Sequence, residues 1–153
     1  MHQAPTFPPT AKFLWLRDES AQLFDLIRKY KPKMVFDSDY VLLTGVPYRQ
    51  SMDFTKGFVA RSFGNFWALQ MMTANGGELA QMTGRSNPYL EGKLGVIEQG
   101  AYADILIVDG NPLEDISVIG ATDTWFDAPP REQDVPSIKL IMKDGVVYKN
   151  TLN

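Results

Sequence analysis

The stretch Leu94–Ile116, LGVIEQGAYADILIVDGNPLEDI, decides how this chain is read. Within it a strand is expected over Ala103–Val108, where Ile105, Leu106, Ile107 and Val108 run without a polar break. Such a run predicts a strand covered on both faces, because a strand with one wet face alternates apolar and polar positions. Gly95 and Gly100 punctuate its approach, and Asp109, Gly110, Asn111 and Pro112 form a turn at its exit. Asp104 and Asp109 are expected to satisfy turn backbone, and Leu113–Ile116 to make a short helical turn. On pattern alone, any all-β domain can hold a strand and turn of this kind.

Downstream, Ile138–Met142 and Val146–Tyr148 flank Lys143-Asp144-Gly145. Asp-Gly supplies the positive φ of a type I′ turn, so these residues predict a tight β-hairpin. Between the two β segments, Gly120–Pro136 contains Pro129, Pro130 and Pro136 and reads as a surface connection, with Trp125 and Phe126 pinning it to the core.

Upstream, the pattern turns helical. Residues 1–12 are Pro-rich and expected to be extended or poorly ordered, while Phe13–Leu16 fits either a strand or the start of a helix. Leu23, Leu26, Ile27 and Tyr30 recur at i, i+3, i+4 and i+7, which predicts an amphipathic helix over Glu19–Tyr30, capped by Asp18 or Ser20 and stopped by Pro32. Met34, Val35 and Phe36 then predict a short strand that ends in Asp37, Ser38 and Asp39. A loop is expected over Tyr40–Thr55. Phe63, Phe66, Trp67, Met71 and Ala74 keep helical spacing, so a helix with a buried aromatic face is expected over Phe63–Asn75, closed by Gly76 and Gly77 as a C-cap. Glu78–Thr83 adds one or two helical turns before Gly84.

Composition narrows the function classes. The chain has 153 residues, 44% hydrophobic and 22% charged, enough for a domain with a real core. A net charge of −3 and a pI near 5.1 argue against a general nucleic-acid binder, which needs a phosphate-neutralising basic patch. The absence of cysteine excludes disulfides, thiolate nucleophiles and Cys-based zinc sites. No apolar run approaches the roughly 18 residues that span a bilayer. The residues after Met1 lack the charged-then-apolar order of a signal peptide, although an upstream signal could belong to a longer parent. The segment reads as soluble, with its compartment left open.

The words LGxIxxGxxADxxxxDGNPLxDI, with SNPYLEGK (Ser86–Lys93) upstream and IMKDGVVYKN (Ile141–Asn150) downstream, resemble the C-terminal signature of the metal-dependent amidohydrolase superfamily, closest to its imidazolonepropionase-like and Xaa-Pro dipeptidase-like branch. The resemblance implies a mixed α/β fold: the terminal helix-strand-helix portion of a (β/α)8 barrel in residues 1–85, followed by the C-terminal strands of the small composite β-sandwich in residues 86–153. A complete barrel takes about 250 residues, so an incomplete barrel is expected, with the chain as the last third of such an enzyme. The segment MTANGGELAQMTG resembles the family's ATxNxAxxxG, with Gly76 and Gly77 in place of better helix formers.

In that family the last barrel strand ends in a motif such as GSD or GTD, whose aspartate binds the metal and helps activate the attacking water. Matched onto Phe36-Asp37-Ser38-Asp39, the resemblance implies a catalytic and metal-binding role for Asp39, while Asp37 departs from the family's glycine. Read from the strand alone, Asp37 and Asp39 are solvated loop acids or turn formers. Arg49 falls in the expected loop, where a guanidinium can hold a substrate carboxylate in bidentate fashion or simply face solvent. The implied cofactor is zinc or another divalent metal, which needs about three protein ligands. This chain holds a single histidine, His2, and so cannot build that site by itself.

Two readings follow. One is the C-terminal part of an enzyme that hydrolyses amide-like C–N bonds once assembled. The other is a noncatalytic, self-associating module of the same descent. Either predicts a partner, as a homo-oligomer or with a complementary N-terminal chain, because a lone barrel repeat exposes apolar faces.

Overall fold

The computed structural model describes residues 8–37, 45–124 and 134–152, with side chains from residue 19 onward. The chain folds as two compact units, Met1–Lys33 and Met34–Asn153. The described residues are a mixture of helices and one small antiparallel sheet.

The first unit contains a single described helix, α1 (Pro8–Tyr30). It begins eleven residues before the expected Glu19, and takes in Phe13–Leu16 as helix. Proline explains the difference: Pro8 and Pro9 fill the first turn, where backbone N–H groups have no intrahelical acceptor and a fixed φ favours the helix. Ser20 therefore lies inside the helix, and neither it nor Asp18 is its cap. The end is as expected. Lys31 takes a left-handed φ of 46°, donates its N–H to the Ile27 carbonyl at 2.8 Å, and leads into Pro32. Along the exposed face Arg28 pairs with Asp25 at 2.7 Å.

In the second unit, residues 34–37 form no helix and join no sheet. The expected Met34–Phe36 strand is thus corrected to a coil segment held by helices: the Phe36 N–H donates to the Met71 carbonyl at 3.1 Å and Asn75 Nδ2 to the Met34 carbonyl at 2.7 Å. A strand requires a neighbouring strand, and none of the described residues runs beside this one.

Three helices follow: α2 (Gly45–Phe63), α3 (Asn65–Met72) and α4 (Ala74–Met82). Where a loop was expected through Thr55, α2 already begins at Gly45, with Pro47 in its first turn. The expected helix over Phe63–Asn75 is instead divided at Gly64 and Thr73. Gly64 has φ 93°, and Thr73 has φ −123° and ψ −97°. Its aromatic face is only partly covered: Phe63 meets Trp67 edge-to-face at 5.4 Å, but Phe66 is 63% exposed. Met71 and Ala68 supply the buried contacts. Full burial of a methionine is worth about 2 kcal/mol.

Gly76 and Gly77 do not cap a helix; both lie inside α4. At Gly77 the backbone of Leu94 presses against the helix so closely that a Cβ would collide with the Leu94 carbonyl. Gly95, at φ 73°, similarly sits against the Thr73 carbonyl. The start of the Leu94–Ile116 stretch therefore lies directly across the α3–α4 junction. Gly57 repeats the device in α2, where the Thr122 carbonyl occupies the place of a side chain.

The sheet has the order β1-β2-β3, with β1 Ile105–Val108, β2 Ile138–Lys143 and β3 Val146–Asn150, all antiparallel. Leu106 stands opposite Ile141 and Ile107 opposite Leu140. The β2–β3 hairpin is the expected one, with positive φ at both Asp144 (49°) and Gly145 (74°), as a type I′ turn requires. Asp104 Oδ1 accepts the Asp144 N–H at 2.7 Å, so the acid before β1 holds the hairpin turn. Asp109 instead pairs with Lys139 at 3.5 Å, and the turn acceptor is Asn111 Oδ1, which takes the Leu113 N–H at 3.1 Å. The expectation that β1 is covered on both faces is not met among the described residues. Leu106 and Ile107 are 53% and 41% exposed, because three strands supply no second layer.

After β1 a turn at Asn111–Asp115 leads into a 3₁₀ helix at Ile116–Ile119, three residues later than the expected Leu113–Ile116. Gly120–Thr122 is not surface loop, since Gly120 and Ala121 are buried and the Thr122 N–H donates to the Asp53 carbonyl at 3.0 Å. Trp125, Phe126, Pro129 and Pro130 lie outside the described residues.

Candidate functional site

Of the residues singled out in the sequence, the structure describes Asp37 and Arg49. Asp37 is exposed at the end of the 34–37 segment. Ser38 and Asp39 lie outside the described residues. Arg49 is half-buried on α2, one turn beyond Gly45, and so stands on a helix rather than in a loop. A helix fixes the direction of its stem more firmly than a loop would.

Further along α2 are three polar residues the sequence reading did not pick out. Ser51 is fully buried, and its Oγ has no hydrogen-bond partner among the described residues. Asp53 is 5% exposed and pairs with Lys56 Nζ at 2.7 Å. Lys56 also donates to the Ile119 carbonyl at 2.9 Å, joining α2 to the 3₁₀ helix that follows β1. The i,i+3 spacing of Asp53 and Lys56 is visible in MDFTKG. Its burial is not, because that depends on Thr122 approaching Gly57 from 65 residues away.

Other described carboxylates are also engaged. Glu98 pairs with Lys93 at 2.6 Å. Asp134 meets Lys149 at 2.7 Å, and this ammonium holds the Asp134 carboxyl below the usual carboxylate range. The Ser117 hydroxyl and then its backbone N–H lower that of Asp115, which caps the Ile116–Ile119 turn. Among the described residues no three His, Cys, Asp or Glu side chains gather as a metal would require. These residues therefore do not fit a divalent metal by themselves.

An open cleft of about 710 Å³ lies beside the end of α4, between Gln81–Arg85 and the 89–100 loop. Tyr89 forms part of its wall, packs edge-to-face on Tyr102 at 5.5 Å, and lies under Lys143 Nζ at 5.4 Å. Asn87, buried, uses its amide to bind both the carbonyl and the N–H of Tyr89, at 3.1 and 2.9 Å. No described helix is long and apolar enough to cross a membrane.

No family model matches the sequence, and no curated protein does. Solved structures do match. A prolidase complexed with N-methylphosphonate-L-proline aligns over 95% of this chain with a TM-score of 0.61 and 28% identity. A structure described as an uncharacterized protein aligns over the same share, with a TM-score of 0.60 and 27% identity. An amidohydrolase aligns over 86% of the chain with a TM-score of 0.58; at 24% identity this is a likeness of fold. The chain spans about 30% of the length of the first two and 26% of the third. The mixed helix and small-sheet architecture is thus similar to part of the fold of these solved structures.

Proposed function

We propose that this chain forms the C-terminal part of a metal-dependent amidohydrolase that hydrolyses amide-like C–N bonds, with activity belonging to the assembled enzyme. The observation that carries this reading is the match of 95% of the chain, at 28% identity, to a prolidase. Residues 1–85 belong to its barrel and residues 86–153 to its small sandwich. Asp39 contributes one carboxylate to the metal and catalytic centre, and the remaining ligands come from outside this chain. Arg49 holds a substrate carboxylate. The N-methylphosphonate-L-proline bound by the matched prolidase suggests dipeptides or N-acyl amino acids ending in proline as first substrates.

The test joins this chain to the upstream portion of that prolidase and assays Xaa-Pro hydrolysis beside the 153-residue chain alone. The joined protein should be active, Asp39→Asn should reduce its turnover at least a hundredfold, and the chain alone should show neither turnover nor stoichiometric zinc. Full activity in the Asp39→Asn variant would overturn the role of Asp39. Stoichiometric zinc in the chain alone would overturn the incomplete site.

A second reading, a noncatalytic self-associating module, is favoured by the exposed apolar side chains of the sheet: Leu106, Ile107, Val146, Val147 and Tyr148. Under both readings the chain binds a second copy or a complementary N-terminal chain. Light scattering of the purified chain should give a mass of at least two copies of 17.2 kDa. A well-folded monomer would count against association.

A further inference from the structure

We draw no further inference here: the strongest candidate, the open cleft of about 710 Å³ between Gln81–Arg85 and the 89–100 loop, carries nothing because the charges of Lys93 and Glu98 on its wall neutralise each other, Asn87 spends its amide on Tyr89, and nothing in the structure shows what would occupy it.

Discussion

The β2–β3 hairpin and the helix α4 both turn on glycine, and they use it in opposite ways. In the hairpin, Gly145 is needed for its own backbone: φ is 74°, and a Cβ there would meet nothing within 4 Å. In α4, Gly77 has an ordinary helical backbone and is needed for its neighbour, because the Leu94 carbonyl fills the space a Cβ would take. The first requirement is local and can be read from two adjacent letters. The second is set by a residue 17 positions away, and in isolation the same Gly-Gly pair reads as a helix end.

The contrast can be broken by substitution. The largest effect is expected at Gly77→Ala. Alanine is favoured over glycine inside a helix by up to about 1 kcal/mol, but the collision with Leu94 backbone should reverse the sign and destabilise the chain by roughly 2–3 kcal/mol. The neighbouring Gly76→Ala provides the control. Its nearest contact, the Met71 carbonyl at 3.6 Å, is ordinary van der Waals distance, so that variant should gain a few tenths to about 1 kcal/mol. Urea denaturation of the two variants decides the matter, and equal effects would show that Leu94 does not press on the helix.

A smaller loss is expected at Gly145→Ala, about 1–2 kcal/mol, from forcing an L-residue into the left-handed region. Gly145→Asn should recover part of it, since asparagine tolerates that conformation. If alanine and asparagine cost the same in thermal melts, the turn conformation is not what glycine supplies there.

The smallest effect concerns acid. Lys149 lowers the Asp134 carboxyl from its ordinary value of 3.8. A depressed native value means that the stabilisation is present above about pH 4, where the unfolded carboxyl is ionised, and is lost as pH falls through the lower native value. Asp134→Asn should therefore narrow the stability difference between neutral and acidic solution, as followed by circular dichroism below about pH 4. An unchanged acid profile would mean that the pair with Lys149 is not formed in solution.

Much of the sheet was legible because its determinants are short-range. The Asp144-Gly145 turn, the strand at Ile105–Val108 though not its burial on both faces, and the backbone-binding role of Asp104 stand as expected, although Asp104 serves the hairpin turn from 40 residues away. Less of the candidate site was legible. Helical spacing located α1 and the region of α3, but their boundaries moved where proline opens a helix at Pro8 and where Thr73 breaks one. Arg49 was expected in a loop and stands on α2, because the pattern around Pro47 resembles a loop until the later turns of that helix are seen packed against Thr122.

The sequence by itself determined that the chain is mixed α/β, that it has one histidine and no cysteine to offer a metal, and that it ends in a type I′ hairpin. Those properties depend on composition or on residues adjacent in the chain. Only the tertiary structure decided that Met34–Phe36 has no strand neighbour among the described residues, that Asp53 and Lys56 are largely buried together, and that Gly57 and Gly77 yield their side-chain space to Thr122 and Leu94. The reason is common to all four: strand pairing, burial and close backbone approach are relations between distant segments, and no local pattern records which segments will meet.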